Sequence, residues 1–273
     1  MRGLIGVNSG VDVTQRVNSS VVEFGGAGPG IVLLHGLMGT ARTWAPVAEW
    51  LTGYGRVVGL DARGHGASPH RASPPGGWRT EDFAADVARL IEERDLAPAV
   101  LIGHSMGGLH AWTVAAVAPE LVRAVVVEDM APDQRGRTVD PWRAYFASWP
   151  VPFPSADAVR AYFGDLGDYF AACFTERADG WHLTADLDEL YGIAAEWGER
   201  DFWPLVARVT APVLAIEAEH SAMPPGQLAQ LPRRAPGGGH HVVVAGAGHV
   251  VHRSAPQVYR GAVEAFLSQV LDR

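Results

Sequence analysis

The pentapeptide Gly103-His104-Ser105-Met106-Gly107 decides how the rest of the chain is interpreted. An apolar run at residues 99–102 precedes it, and a run of helix-forming residues at 109–117 follows it. This order predicts a buried strand, a sharp turn and a helix. G-x-S-x-G in that setting is typical of a nucleophilic serine, held in strained backbone at the edge of a sheet. The flanking glycines are expected because a Cβ there would collide with the neighbouring strand or helix.

Strand-like and helix-like segments alternate on both sides of this motif. Strands are expected at residues 31–34, 57–60, 99–102, 121–127, 212–216 and 241–244, with one or two edge strands within 11–25. Helices are expected near residues 43–51, 80–94, 109–117 and 255–271. This alternation predicts an α/β fold, with a mostly parallel central sheet flanked by helices on both faces. In such sheets the functional residues collect at the carboxyl ends of the strands.

The alternation stops between residues 133 and 205. This segment contains 15 of the 24 Trp, Tyr and Phe residues of the chain and no clear buried strand. We expect a mainly helical cap at 133–205, inserted into a core formed by residues 1–132 and 206–273. Most of these aromatic side chains would pack the cap onto the core. Trp142, Phe146 and Trp149 are expected to line an apolar substrate pocket above Ser105.

Composition excludes several functional classes. The 273 residues carry a formal net charge of −8, and the 22 cationic side chains, all arginine, form no basic stripe, so nucleic acid is not an expected partner. The absence of lysine excludes Schiff-base chemistry. The single cysteine, Cys173, excludes an intrachain disulfide.

The chain shows no membrane or secretion signal. No apolar stretch reaches the roughly 20 residues that span a bilayer, and the first residues, Met1–Asn8, lack a signal-peptide core. We therefore expect a cytoplasmic protein with no membrane partner. Nothing in the pattern indicates an oligomeric state.

Four motifs together resemble those of the α/β-hydrolase family, in its serine-nucleophile branch, over nearly the whole chain. They are Gly103–Gly108, His35–Gly39, Asp61–Ser68 and Gly246–His249 followed by Pro256. The resemblance implies that Ser105 is the nucleophile and that His249 is the general base and later the acid. It implies an oxyanion hole formed by the backbone N–H groups of Leu37 and Met106. His35, Gly36 and His104 would support these loops, and no cofactor is implied.

Other histidines compete with His249. His240, His241 and His252 lie close to it in sequence, so a metal cluster is conceivable. No acidic or cysteine partner follows at regular ligand spacing, and we expect no metal. His249 is favoured because it ends a Gly-Ala-Gly-His loop between a strand and the last helix.

The third member of the triad departs from the usual family pattern. Ser221 stands where most members carry a carboxylate, and a serine cannot hold the charge that stabilises an imidazolium. The turn Asp129-Met130-Ala131-Pro132, together with Ser221, resembles a subgroup of small bacterial esterases and favours Asp129 as the acid. Glu219, Glu217, Glu128 and a triad without a working acid are the alternatives. With Asp129 as the acid, Ser221 would hydrogen-bond the imidazole or Asp129.

These residues predict hydrolysis of an ester-like bond in a hydrophobic small molecule through an acyl-enzyme, most simply by a carboxylesterase. A thioesterase, lactonase or C–C hydrolase would use the same triad. A lyase or cofactor-free oxygenase would use the His–Asp pair and need Ser105 only for orientation. A binding protein on the same scaffold is a further alternative. Serine at position 105 disfavours relatives that use an aspartate nucleophile.

Overall fold

A computed structural model of the chain describes residues 20–68, 78–137 and 139–271. The strands are β1 (Val21–Gly25), β2 (Gly30–Leu34), β3 (Arg56–Leu60), β4 (Ala99–His104), β5 (Val122–Glu128), β6 (Phe174–Arg177), β7 (Gly180–Leu183), β8 (Val213–His220) and β9 (Gly239–Gly248). Seven of them form one sheet in the order β1-β3-β2-β4-β5-β8-β9. Only β1 runs antiparallel to its neighbour, which confirms the mostly parallel sheet. The part of the expected edge strands at residues 11–19, and Met1–Asn8, lie outside the described residues.

The helices of the described chain cover both faces of this sheet. They are α1 (Ala45–Leu51), α2 (Thr80–Glu93), α3 (Met106–Val117), α4 (Asp140–Ala147), α5 (Ala156–Phe163), α6 (Gly167–Ala171), α7 (Leu187–Glu199), α8 (Trp203–Val206), α9 (Leu231–Arg234), α10 (Val251–Ser254) and α11 (Pro256–Leu271). None of these helices is long and apolar enough to cross a bilayer.

The continuous apolar strands follow from this two-sided covering. In β2, Val32 and Leu34 join the hydrophobic cluster that includes α2 and α3. Ile31 and Leu33 join the cluster on the other face, with α1 and α11. A strand covered on both faces needs apolar side chains at every position, so its sequence is a run and not an alternation. The α/β-hydrolase fold expected from the sequence is confirmed.

Residues 133–205 leave the sheet after β5 and return to it at β8. Helices α4 to α7 make up most of this inserted segment, and α8 begins at its end. It also contains a two-stranded antiparallel hairpin, β6–β7, that the sequence did not predict. Three of the four residues of β6 are exposed, so the hairpin lacks the apolar run that identifies a buried strand.

The sheet brings the predicted site residues to one edge. Ser105 directly follows β4, Asp129 follows β5, Ser221 follows β8 and His249 follows β9. These strands are consecutive neighbours in the sheet and run parallel, so their carboxyl ends lie side by side.

Candidate active site

Ser105 occupies the tight turn between β4 and α3. Its backbone has φ 50° and ψ −121°, a conformation that L-residues rarely adopt. Its N–H donates to the Glu128 carbonyl at 2.7 Å, which ties the turn to β5. A Cβ on Gly103 would lie 2.2 Å from the Gly107 carbonyl group, and one on Gly107 would lie 2.1 Å from the Leu34 carbonyl oxygen. Both glycines are therefore required by packing against backbone, as their spacing predicts.

Two backbone N–H groups lie near this serine. Met106 begins α3, where the first N–H groups have no partner within the helix. Leu37 lies in the loop after β2, and no described residue accepts a hydrogen bond from its N–H. A Cβ built on Gly36 would lie 3.3 Å from the Ser105 Cβ, so this loop passes close to the serine.

Two histidines fix the conformation of the Leu37 loop. His35 Nδ1 donates to the Gly36 carbonyl at 2.8 Å, and its Nε2 accepts from the Ala62 N–H at 2.9 Å. Burial lowers the pKa of His35, so it stays neutral and keeps one donor and one acceptor. His65 Nε2 accepts from the Met38 N–H at 3.1 Å. The loop is thus held by its own His35, which bonds to the segment after β3, and by His65 from that segment.

His249 faces a buried carboxylate. Its Nδ1 lies 2.8 Å from Asp129 Oδ2, and the Asp129 side chain is completely buried. Asp129 also accepts from the Ser221 hydroxyl at 3.0 Å and from the Ala218 N–H at 3.1 Å. Because Nδ1 must carry a hydrogen to bond a carboxylate, Nε2 is left as the basic atom.

The other candidate carboxylates have different partners. Glu219 accepts from the Gly246 N–H at 2.7 Å, Glu217 pairs with His241 at 2.6 Å, and Glu128 pairs with His252 at 2.8 Å. None of these three hydrogen bonds involves His249, and only Asp129 among the carboxylates left open by the sequence contacts it in the described chain.

His104 supports the backbone at His249. Its Nε2 lies 3.0 Å from the His249 carbonyl oxygen, which can only accept, so the hydrogen is on Nε2. Burial lowers the pKa of His104 to about 3, which keeps the ring neutral. A Cβ on Gly36 would lie 2.6 Å from its Nδ1, so glycine at position 36 makes room for this ring.

A second carboxylate–histidine pair, which sequence analysis missed, lies beside the first. Glu128 accepts from both Nδ1 and the backbone N–H of His252, and both side chains are buried. Burial opposes ionisation of Glu128, but the facing imidazole and its hydrogen bonds outweigh it, so the pKa of Glu128 lies below its usual value. Glu128 therefore holds His252 at the start of α10, and Asp129 holds His249 just before this helix. The sequence shows that Glu128 and Asp129 are adjacent, but it does not show which histidine each carboxylate contacts.

A cavity of about 620 Å³ opens above Ser105 and His249. This volume is within the range of small-molecule sites, roughly 300–1,000 Å³. The Leu37 loop lines one side, and aromatic residues of the inserted segment line another, including Trp142, Tyr145 and Phe170.

The structure corrects two of the three expected pocket residues. Trp142 lines the Ser105 cavity, whereas Phe146 and Trp149 line a separate cleft beside the β6–β7 hairpin. Their rings pack together at 4.9 Å, and both are buried. Helical periodicity alone does not separate these residues, because positions 142, 145 and 146 lie on one side of α4. Trp142 and Tyr145 line the cavity, whereas the Phe146 ring is covered by Trp149 within the inserted segment.

The described residues contain no group of three or more His, Cys, Asp or Glu side chains that could hold a metal ion.

Comparison with known proteins defines the class of protein. A family model described as the α/β-hydrolase fold matches residues 29–256, and the chain belongs to this family of hydrolases.

The chain is also similar to individual members of this family. The 2-(acetamidomethylene)succinate hydrolase of Mesorhizobium japonicum is 32% identical over 261 residues, covering 92% of each chain. The sn-1-specific diacylglycerol lipase ABHD11 of Danio rerio is 40% identical over 183 residues, which are 64% of this chain and 56% of that protein. The crystal structure of E-2-(acetamidomethylene)succinate hydrolase superposes with a TM-score of 0.80 at 28% identity, covering 93% of this chain and 94% of the other.

Proposed function

We propose that the protein is a serine hydrolase that cleaves an ester-like acyl bond of a hydrophobic small molecule through an acyl-enzyme. The observation that carries this proposal is the arrangement around His249. Its Nδ1 is held by the buried Asp129 carboxylate at 2.8 Å, and its ring lines the same cavity as Ser105. A serine, an oriented imidazole and a buried acid are the groups needed for nucleophilic acyl transfer.

In the first half-reaction, the Ser105 Oγ attacks the carbonyl carbon and its proton passes to His249 Nε2. Negative charge develops on the carbonyl oxygen, which accepts hydrogen bonds from the N–H groups of Leu37 and Met106. The intermediate collapses, the C–O bond to the leaving group breaks, and His249 returns the proton to the departing alcohol. Asp129 stabilises the imidazolium throughout.

In the second half-reaction, water attacks the acyl-enzyme. His249 accepts a proton from the water and then delivers it to Ser105 as the carboxylic acid leaves. Ser221 supports this step through Asp129, because its hydroxyl donates to the same carboxylate oxygen that faces His249. His35, Gly36 and His104 keep the Leu37 and His249 loops in place.

Residues 133–205 would act as the cap of this site, with residues 1–132 and 206–273 as the core. The aromatic part of the cavity wall comes from this segment, which suits an apolar acyl or aromatic group. The relatives support hydrolysis over lyase or oxygenase chemistry, since one is named for hydrolysis of a succinate derivative and another as a lipase. A carboxylesterase is the simplest member of this class.

Labelling by a fluorophosphonate, followed by peptide mapping, tests the nucleophile. We expect covalent modification of Ser105 in the wild type and none in Ser105→Ala, while Ser268→Ala, on the exposed side of α11, labels normally. Ser105→Ala should also abolish hydrolysis of p-nitrophenyl esters while retaining its fold by circular dichroism. Substantial residual turnover in Ser105→Ala would contradict the acyl-enzyme and favour a lyase or oxygenase.

A substrate panel tests the type of bond. Esters of increasing acyl length, thioesters and lactones would be compared by kcat/KM at equal concentrations. We expect esters with apolar acyl groups to react fastest, and a clear preference for thioesters or lactones would replace the carboxylesterase assignment.

A further inference from the structure

The described lining of the Ser105 cavity contains one permanently charged side chain. Among the described residues that line it, Arg137 is the single arginine, and none is an aspartate or glutamate. Most of the remaining lining is apolar or aromatic, as at Trp142, Leu166 and Phe170. A cation at the wall of an apolar cavity next to a nucleophile is a candidate for substrate recognition.

The Arg137 guanidinium has hydrogen-bonding capacity left for a ligand. Its Nη1 donates to the Ala222 carbonyl at 2.7 Å, and no carboxylate of the described chain forms an ion pair with it. Arg135, only two residues earlier, is different, because it pairs with Asp133 at 2.7 Å and with Asp201 at 3.6 Å. A guanidinium has five N–H donors, so Nη2 and Nε of Arg137 remain available in a planar fork.

The loop that carries Arg137 is held in place on several sides. Its own N–H donates to the Gln134 carbonyl at 2.9 Å, and the preceding Gly136 N–H donates to the Gly198 carbonyl at 3.1 Å. The Ala222 contact joins the loop to the segment after β8, directly beside Ser221. The loop backbone and Nη1 of the exposed Arg137 side chain are therefore already held in the free protein, which reduces the ordering cost of binding.

We propose that Arg137 binds a carboxylate of the substrate, so that the site prefers acyl compounds that combine an apolar body with one anionic group. This inference rests on the proposed hydrolase function for the reaction, but the recognition depends on Arg137 alone. The planar fork matches a carboxylate in two parallel hydrogen bonds. A second cation would be expected beside a phosphate dianion, and the described lining offers none.

The test uses matched pairs of esters. The p-nitrophenyl monoesters of succinic, glutaric and adipic acid are compared with their methyl diester counterparts, in which the free carboxylate is masked. We expect the wild type to prefer the best monoester by about 10-fold in kcat/KM over its neutral partner, as suits a charged hydrogen bond at a partly exposed site. Arg137→Gln should bring this ratio close to unity, mainly by raising KM for the monoester.

Arg135→Gln is the matched control. This substitution removes the same charge from the same loop. In the wild type, however, the Arg135 guanidinium is already paired with Asp133 and Asp201. We expect this variant to keep the preference for the monoester. An equal ratio in wild type and Arg137→Gln, or loss of the preference in Arg135→Gln as well, would overturn the assignment.

A binding measurement separates this inference from the proposed reaction. Calorimetric titration of Ser105→Ala with monomethyl glutarate should give binding that disappears in the Ser105→Ala/Arg137→Gln double variant. If the wild type hydrolyses no ester and Ser105 is not labelled, the hydrolase function fails, and the titration alone decides the role of Arg137. If both esters of each pair react at equal rates, only the carboxylate preference fails.

Discussion

Replacing Asp129 by asparagine should disable the enzyme through a change of tautomer. The Ala218 backbone N–H donates to Oδ1 at 3.1 Å, so the asparagine oxygen is expected to remain at that position. The amide –NH₂ then takes the place of Oδ2, 2.8 Å from His249 Nδ1. An amide N–H requires an acceptor, and therefore the imidazole hydrogen moves from Nδ1 to Nε2. The Nε2 atom can then no longer accept the proton of Ser105.

The size of the effect follows from this geometry. Serine hydrolases whose carboxylate is neutralised in this way lose roughly 10⁴-fold in kcat. This loss corresponds to about 5 kcal/mol of transition-state stabilisation. The fold should change little, because asparagine has nearly the same volume as aspartate and Ser221 can reverse its hydroxyl to accept from the new amide. We expect the free energy of unfolding to fall by only about 1 kcal/mol.

The assay combines steady-state hydrolysis of a p-nitrophenyl ester with the rate of fluorophosphonate labelling of Ser105. Both should fall together in Asp129→Asn, because both need the same proton transfer. Glu219→Gln is the control, since Glu219 accepts from the Gly246 N–H and not from His249. The reasoning is refuted if Asp129→Asn keeps more than about a tenth of wild-type kcat/KM, or if Glu219→Gln shows the large loss instead.

Three further predictions concern stability. Gly107→Ala should unfold or strongly destabilise the protein, by about 3 kcal/mol or more, because its Cβ would lie 2.1 Å from a backbone oxygen of β2; a wild-type melting temperature would contradict this. Burial lowers the pKa values of His104 and His110 from 6.5 to about 3. As the pH falls, these two histidines therefore become protonated in the unfolded chain before they do so in the folded protein. The contribution of these two neutral rings to the free energy of unfolding is complete above pH 6.5 and is lost as the pH falls toward 3. The midpoint of urea unfolding should therefore be lower at pH 5 than at pH 7. An unchanged midpoint would count against neutral buried rings. Glu128→Ala leaves a buried imidazole unpaired and should cost about 3–5 kcal/mol in urea unfolding, clearly more than Glu217→Ala, whose histidine partner is partly exposed.

Much of the site could be predicted from local sequence. The turn at Ser105 depends on residues within two positions of it, because the strain at the serine and the contacts of Gly103 and Gly107 arise where β4 meets α3. The buried strands were also visible, since a strand covered on both faces must be apolar throughout. The resemblance to a family then indicated His249 and Asp129, which no local pattern links to Ser105.

Other features depended on neighbours that are distant in sequence. Asp129 and His249 are 120 residues apart, and Glu128 and His252 are 124 apart. The consecutive carboxylates at the end of β5 meet two histidines three positions apart because β8 and β9 follow β5 in the sheet. A list of acidic residues and histidines contains no information about this order.

The sequence by itself predicted Ser105 as the candidate nucleophile and determined the buried strands and the class of fold, because steric limits and two-sided burial act on neighbouring residues. The tertiary structure decided among the carboxylates left open for His249, and it alone decided which aromatic residues of the inserted segment line the cavity. It also decided that, within the described part of the chain, Arg135 has acidic partners whereas Arg137 has none. These outcomes depend on strand order and on the docking of the inserted segment, which place side chains together that the chain itself keeps far apart.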